Sequence, residues 1–123
     1  FIAADSVTGQ LGYAVGTGVV SVTQATSKST GVTLNRSMGQ VVMNNAALAA
    51  GAAVKFTVTN NTVGAGDVPN VIMSSGGTSG AYSFDVSALS AGSFDITVQN
   101  ISAGSLSEAA VLNFAIIHAV PQI

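Results

Sequence analysis

Hydrophobic and polar residues alternate along three stretches of five or six residues. In residues 54–59, 82–87 and 94–98 every second residue is apolar, and Gly, Asn or Ser residues flank each stretch. A period of two is typical of a β-strand that buries one face, and the flanking residues favour turns. Residues 88–92, between the second and third stretches, contain Ala and Gly and predict a hairpin.

Shorter apolar runs predict further strands at residues 19–23, 30–34, 40–43 and 70–74 and near the C-terminal end. Together they make about eight short strands with turn signals roughly every ten residues. This spacing predicts an all-β fold, a single-domain antiparallel β-sandwich of the jelly-roll or immunoglobulin-like kind. Its bulky inward residues are expected to be Phe56, Phe84, Phe94 and Phe114.

Two segments carry helix signals that compete with this pattern. Residues 45–50 are rich in Ala, the best helix former, and predict at most a short helical turn. Ser105 and Glu108 have the spacing of a capping box, which would begin a helix over residues 106–118 and give Glu108 a capping role. Residues 112–118 are rich in β-favouring side chains and precede Pro121, so a strand is the favoured prediction there.

The first eighteen residues differ from the rest of the chain. Glycines interrupt their apolar pairs, which predicts an extended N-terminal arm over residues 1–18, lying on a neighbouring molecule, and a sandwich domain over residues 19–123. The candidate interface residues are the apolar and aromatic side chains of this arm and of the C-terminal end: Phe1, Ile2, Val7, Leu11, Tyr13, Val15, His118, Val120 and Ile123.

Charge is scarce, at 7 % of residues against about 25 % in a typical globular domain. Lys28, Arg36 and Lys55 are the only cations, too few for the phosphate contacts of a nucleic-acid binder or for a polybasic membrane contact. No apolar stretch reaches the length of about 20 residues that a transmembrane helix needs. A surface with little charge loses little hydration when another protein covers it, which favours a binding role.

Residues with catalytic potential are few. The single histidine, His118, is expected at the edge of the core or in an interface, and Asp67, before Val68, has the pattern of a turn residue. Asp85 and Asp95 lie on neighbouring predicted strands and are expected to be offset, because like charges directly opposite each other are destabilising. With no cysteine, neither a thiolate metal site nor a disulfide is available, and we expect no enzyme activity and no cofactor.

Two further patterns have simple explanations. The glycine-rich residues 75–80 precede a strand and contain no lysine, so we interpret them as a loop and not as a phosphate-binding site. Asn-x-Ser/Thr triplets begin at Asn35, Asn60 and Asn100, where predicted strands end and Asn and Ser are expected in turns. Glycosylation is the weaker reading of these triplets.

Three stretches resemble a family of small β-rich bacteriophage virion proteins, which includes head-decoration (cement) and head-fibre proteins. They are GVVSVTQATSKSTGVTLN at residues 18–35, NAALAAG at residues 45–51 and SAGSLSEAAVLNFAII at residues 102–117. The resemblance spans roughly residues 18–118 and brings no catalytic residues. It implies a capsid-surface location, a trimer, and binding to the major capsid protein at subunit junctions.

Two other functions remain open at this point. A fibre or spike module that binds a host receptor or glycan would need exposed aromatic side chains, for which Tyr13 and Tyr82 are the candidates. A bacterial adhesin or pilin-like sandwich would have a donated strand, which residues 1–18 are able to supply.

Overall fold

The computed structural model describes residues 2–4, 11–13 and 20–119. Their ten strands are β1 (Ile2–Ala4), β2 (Leu11–Tyr13), β3 (Val20–Thr23), β4 (Val32–Thr33), β5 (Met38–Val42), β6 (Ala53–Thr59), β7 (Val68–Ser75), β8 (Tyr82–Ser90), β9 (Ser93–Asn100) and β10 (Val111–Ile117). No helix occurs in these residues, so the all-β prediction is confirmed.

Eight of the strands, β3 to β10, form two four-stranded sheets. The first sheet has the order β3-β5-β10-β7 and the second sheet has the order β4-β6-β9-β8. Apolar side chains from both sheets meet in one core, which is the sandwich that the strand pattern predicts. The strands β1 and β2 pair with each other, antiparallel, and with neither large sheet.

The sheets differ from the prediction in the direction of two pairs. β3 runs parallel to β5, and β4 runs parallel to β6, whereas every other pair is antiparallel. The chain changes sheet at every step from β3 to β8, and after two reversals it returns to each sheet in its earlier direction. Both sheets are mixed for this reason, and not purely antiparallel.

The core is built around three aromatic side chains. Phe56, Phe94 and Phe114 are buried, and the rings of Phe94 and Phe114 meet edge to face with their centroids 5.8 Å apart. Such a pair adds about 0.5–1.5 kcal/mol beyond the burial of its area. Phe84 is half-buried at the margin, so the predicted inward set is right for three residues and partly right for the fourth.

The two helix signals do not produce helices. Residues 45–50 contain no helix: buried Leu48 pairs with Leu106 through reciprocal backbone hydrogen bonds, and a turn begins at Ala49, whose carbonyl accepts a hydrogen bond from the Ala52 N–H. The capping role expected for Glu108 is wrong, because β10 begins at Val111 where a helix would run. The burial of alternate residues in β10 shows that its apolar run has the strand period.

The predicted hairpin at residues 88–92 is confirmed with a shorter turn. β8 continues to Ser90, so that only Ala91 and Gly92 connect it to β9. Gly92 has a φ of 94°, and Ala88 has a φ of 51° where the register between the strands shifts. A bulge of this kind ends regular pairing near the edge of a sheet.

Asn60 and Asn100 organise equivalent turns at the ends of two strands of the second sheet, Asn60 directly after β6 and Asn100 as the last residue of β9. Both side chains are fully buried, and each carboxamide oxygen accepts hydrogen bonds from the backbone N–H and the hydroxyl two residues later, in Thr62 and in Ser102. The turn explanation of these two Asn-x-Ser/Thr triplets is therefore confirmed. Their burial also excludes glycosylation at both residues in the folded protein.

Candidate functional site

The outer faces of the two sheets differ in charge. In the first sheet alternate residues starting at Ser21, Met38, Val68 and Val111 point outward, and none of them is ionisable. We call this surface the uncharged face. The apolar side chains on the opposite side of these strands face the core, so the strands are uncharged along their whole length.

The outer face of the second sheet carries three charges. Lys55, Asp85 and Asp95 all point outward from β6, β8 and β9, among Thr and Ser side chains. Lys55 Nζ lies 3.8 Å from Asp95 Oδ2, and the Thr57 hydroxyl donates a hydrogen bond of 2.7 Å to Asp95. We call this surface the charged face. Its polar coat is typical of a surface that remains in water.

The predicted offset of the two aspartates is confirmed. Asp85 is opposite Thr97 and Asp95 is opposite Ser87, so the carboxylates do not face each other across the β8–β9 pair. This register avoids the cost of two like charges in a directly opposed pair.

The uncharged face includes large apolar side chains that are open to solvent. Val68 is 54 % exposed, Ile72 is 61 % exposed and Ile117 is 56 % exposed. Val68 lies directly opposite Ile117 in the β7–β10 pair, and Ile72 follows Val68 on the same side of β7. These three side chains gather on the β7 side of the face, whereas outward residues of the second sheet are mostly hydroxylated or charged.

A second feature is a hydrogen-bonded cluster at one end of the first sheet. Ser37 Oγ lies 2.8 Å from His118 Nε2, and His118 Nδ1 lies 2.8 Å from Asp67 Oδ2. Asp67 also accepts hydrogen bonds from the backbone N–H groups of Gly64 and Ala119, at 2.7 and 2.8 Å. The cluster ties together the residue before β5, the loop before β7 and the segment after β10.

The contacts of Asp67 favour its ionised form. Hydrogen bonds from the backbone N–H groups of Ala119 and Gly64, and then from His118, hold the pKa of Asp67 below its ordinary value, although burial acts in the opposite direction. The side chain of Asp67 is 7 % exposed and that of His118 is 31 % exposed. His118 therefore lies at the edge of the core, as predicted, with its ring partly open to solvent.

Asp67 lies in a turn, as its sequence pattern predicts, and its carboxylate accepts a hydrogen bond from the N–H of Gly64. The pairing with His118 was missed because 51 residues separate the two and no local spacing indicates the contact.

Glu108 joins a different cluster at the opposite end of the first sheet, where β7 ends and β10 begins. Its carboxylate accepts hydrogen bonds from the Thr78 N–H, the Thr78 hydroxyl and the Tyr82 hydroxyl, all between 2.8 and 2.9 Å. The Thr78 N–H and the Tyr82 hydroxyl lower the pKa of Glu108, while burial and then the bond to Glu108 raise the pKa of Tyr82 to about 12. The glycine-rich residues 75–80 thus form a loop that is bound to this carboxylate.

Lys28 provides the third polar cluster and is one of the chain's few cations. Its side chain is buried, and its ammonium group donates hydrogen bonds to the backbone carbonyls of Asn44 and Glu108. Burial lowers the pKa of Lys28, and the negative charge of Glu108 opposes this. Because Lys28 points inward, it adds little charge to the outer surface.

The predicted interface residues divide into three groups. Phe1, Val7, Val15, Val120 and Ile123 lie outside the described residues. Ile2, Leu11 and Tyr13 belong to β1 and β2, of which the structure describes the backbone. Only His118 has a described side chain, and it joins Asp67 and Ser37.

Comparison with protein-family models, with curated proteins and with solved structures finds no match to this chain. No helix among the described residues has the length and the apolar character needed to cross a bilayer. Within residues 2–4, 11–13 and 20–119, no three His, Asp or Glu side chains are grouped closely enough to hold a metal ion.

Proposed function

We propose that this protein is a capsid decoration protein of a bacteriophage, which binds the outer capsid surface at subunit junctions and stabilises the particle. The resemblance to small virion proteins suggests the capsid, and the contrast between the uncharged and charged faces supports a binding role. The homo-oligomer, a trimer by that resemblance, and the contact with the major capsid protein belong to the same proposal.

The uncharged face is the surface that we assign to the capsid. Covering it removes no ionised group from water, so the desolvation cost of binding is small compared with that of the charged face. It exposes the apolar side chains of Val68, Ile72 and Ile117. Burying apolar surface contributes about 25 cal/mol of favourable free energy for each Å². Contacts of this kind lose little affinity at high salt, because they do not depend on screened charges.

A lysine placed on the uncharged face is expected to weaken capsid binding at least about tenfold, which corresponds to about 1.4 kcal/mol. Ala115→Lys puts the charge on the outward side of β10, a central strand, where an unpaired ammonium would be buried by the capsid. Thr97→Lys is the matched control, since Thr97 points outward from the central strand β9 of the charged face. Co-sedimentation with empty capsids measures both.

If Ala115→Lys bound capsids as well as the wild type and Thr97→Lys lost binding, the capsid contact would lie on the charged face and our assignment would be wrong. Failure of the wild-type protein to bind empty capsids would overturn the decoration function itself.

Antibody labelling of purified virions separates decoration from the runner-up, a fibre or spike module that binds a host receptor or glycan. Label on the head supports decoration, and label on the tail or on protruding fibres supports the fibre or spike.

The glycan-binding alternative finds limited support in the described side chains. Tyr82 is half-buried and its hydroxyl donates to Glu108, so its ring offers less area for stacking on a sugar than a fully exposed ring would. The side chain of Tyr13 lies outside the described part of the structure.

A hydrolase is a second candidate function, and the observation that suggests it is the hydrogen-bond order Ser37–His118–Asp67. This order matches that of a nucleophilic serine, a general base and the carboxylate that orients the base. Acyl transfer would also require N–H donors directed at the developing oxyanion and a place for the substrate. We favour a structural role for the cluster. Its hydrogen bonds hold three segments of the chain together, and this role explains them without any catalytic activity.

We therefore expect a fluorophosphonate reagent to leave Ser37 unlabelled, as judged by mass spectrometry of the intact protein and of its peptides. Ser37→Ala is the control for labelling at other hydroxyl groups. Labelling of the wild type that disappears in Ser37→Ala, together with hydrolysis of a simple ester, would establish the hydrolase and contradict the structural role.

A further inference from the structure

The four edge strands of the sandwich differ in how they are protected against pairing with another chain. β4 has 2 residues and β3 has 4 residues, so both offer little backbone for pairing. β8 is long, but it carries the outward charge of Asp85 and the irregularity at Ala88. Short length, charges, prolines and bulges are devices by which natural edge strands avoid association.

β7 lacks the protection by charge that β8 has. It is 8 residues long and contains no ionisable residue, and within the described part of the chain it has a sheet neighbour, β10, on one side only. Its outward side chains, from Val68 to Ser74, are all exposed, and Ile72 among them is 61 % exposed. Pro69 removes one backbone N–H near the start of the strand, and the register of the β7–β10 pair shifts near Ser74 at its other end. Residues 70–73 between these two irregularities are the part of the edge that is able to pair.

We propose that β7 pairs antiparallel with β7 of a second copy across a twofold axis, so that the two first sheets form one continuous sheet of eight strands. This inference rests on the premise of the proposed function that the chain acts by assembling, and it replaces the trimer that the resemblance implies with a dimer. A second β7 is a suitable partner for this edge, because its outward residues alternate between apolar and polar and a twofold axis brings no like charges together.

The uncharged face of a single copy is too small for a stable interface, and pairing would enlarge it. Four strands about 4.8 Å apart, with a mean length of about 20 Å, present a footprint of about 400 Å². A stable interface buries about 800 Å² on each partner, so one face is about half of what specific binding needs. Pairing at β7 joins two uncharged faces side by side and brings the footprint to the size of a standard interface.

Sedimentation velocity of the wild-type protein over a range of concentrations tests this pairing. We expect a dimer, and we expect Ile72→Lys to raise its dissociation constant at least about tenfold, because two ammonium groups would meet near the axis. Val68→Lys places its charge at the end of the strand, away from the axis, and is expected to weaken the dimer less than Ile72→Lys. Ser83→Lys, on the exposed outward side of edge strand β8, is the control and is expected to leave the dimer unchanged.

Thermal melting of each variant confirms that the fold is retained. A wild-type monomer, a trimer, or a dimer insensitive to both β7 lysines would overturn the pairing. Capsid co-sedimentation of the same wild-type protein separates the two proposals. A protein that binds capsids as a monomer or a trimer overturns the pairing alone, whereas a β7-dependent dimer that does not bind capsids supports the pairing and overturns the decoration function.

Discussion

Phe114→Ala is expected to lower the free energy of unfolding by about 3–5 kcal/mol. Phe114 is buried at the centre of β10 and packs edge to face on Phe94 across the sandwich. Its removal loses the transfer free energy of the ring and leaves a cavity that the two sheets cannot close by a small movement. Total stabilities are about 5–15 kcal/mol, so this single change removes a large fraction.

The same ring, together with Leu34, explains why residue 39 is glycine. Gly39 is opposite Phe114 in the β5–β10 pair, and a Cβ atom there would clash with Leu34 Cδ2 and lie 2.9 Å from Phe114 Cζ. Denaturant unfolding of Phe114→Ala measures the effect, with Phe84→Ala as the control. Because Phe84 is half-buried, we expect a loss about half as large. Equal losses in the two variants would contradict the central position of Phe114.

Asp67→Ala is expected to lower the free energy of unfolding by about 2–4 kcal/mol at neutral pH. The substitution removes the acceptor of the Gly64 and Ala119 backbone N–H groups and of His118. A buried donor left without an acceptor costs about 1–3 kcal/mol. Denaturant unfolding at pH 7 measures this loss, and a change below about 0.5 kcal/mol would contradict the anchoring role of Asp67, since surface substitutions stay within that limit.

The contribution of Asp67 is also expected to depend on pH with a definite sign. Its pKa in the folded protein is below that in the unfolded chain, which is about 3.9, so the folded state binds fewer protons in this range. The stabilisation is fully present above the unfolded value and is lost as the pH falls through the folded one. The gap between the wild type and Asp67→Asn should therefore narrow below about pH 4.

The stability of the Asp67 variants is still expected to fall at low pH, because Glu108 also contributes to the acid sensitivity of the protein. The pKa of Glu108 is lowered as well, first by the Thr78 N–H, so Asp67→Asn should still lose stability on acidification, with a smaller slope than the wild type. A gap between the two proteins that is constant from pH 7 to pH 3 would contradict the coupling of Asp67 to folding.

Local pattern predicted the strands well because burial of one sheet face imposes a period of two on the sequence. The alternation in residues 54–59, 82–87 and 94–98 places β6, β8 and β9 correctly, and the competing helix signal at Glu108 yields to the β-favouring run after it. The turns at Asn60 and Asn100 were also predictable, since an Asn side chain bonds the backbone two residues later without help from the rest of the fold.

The sequence showed that charge is scarce, but it did not show that the two faces differ in charge. The scarcity of charge was plain from the composition, and it motivated the binding hypothesis. Which strands share a sheet depends on contacts between residues that are far apart in the chain. The chain alternates between sheets, so the uncharged strands β3, β5, β7 and β10 come from four separate places and gather in one layer only after folding.

The all-β class, most of the strands, the local turns and the shortage of charge were predictable, because each of these follows from neighbouring residues or from composition. Folding was needed to produce the parallel pairs β3–β5 and β4–β6, the segregation of charge onto one sheet, the uncharged edge of β7 and the meeting of Ser37, His118 and Asp67. These features depend on the order of strands within the sheets, which long-range packing selects and which no local pattern specifies.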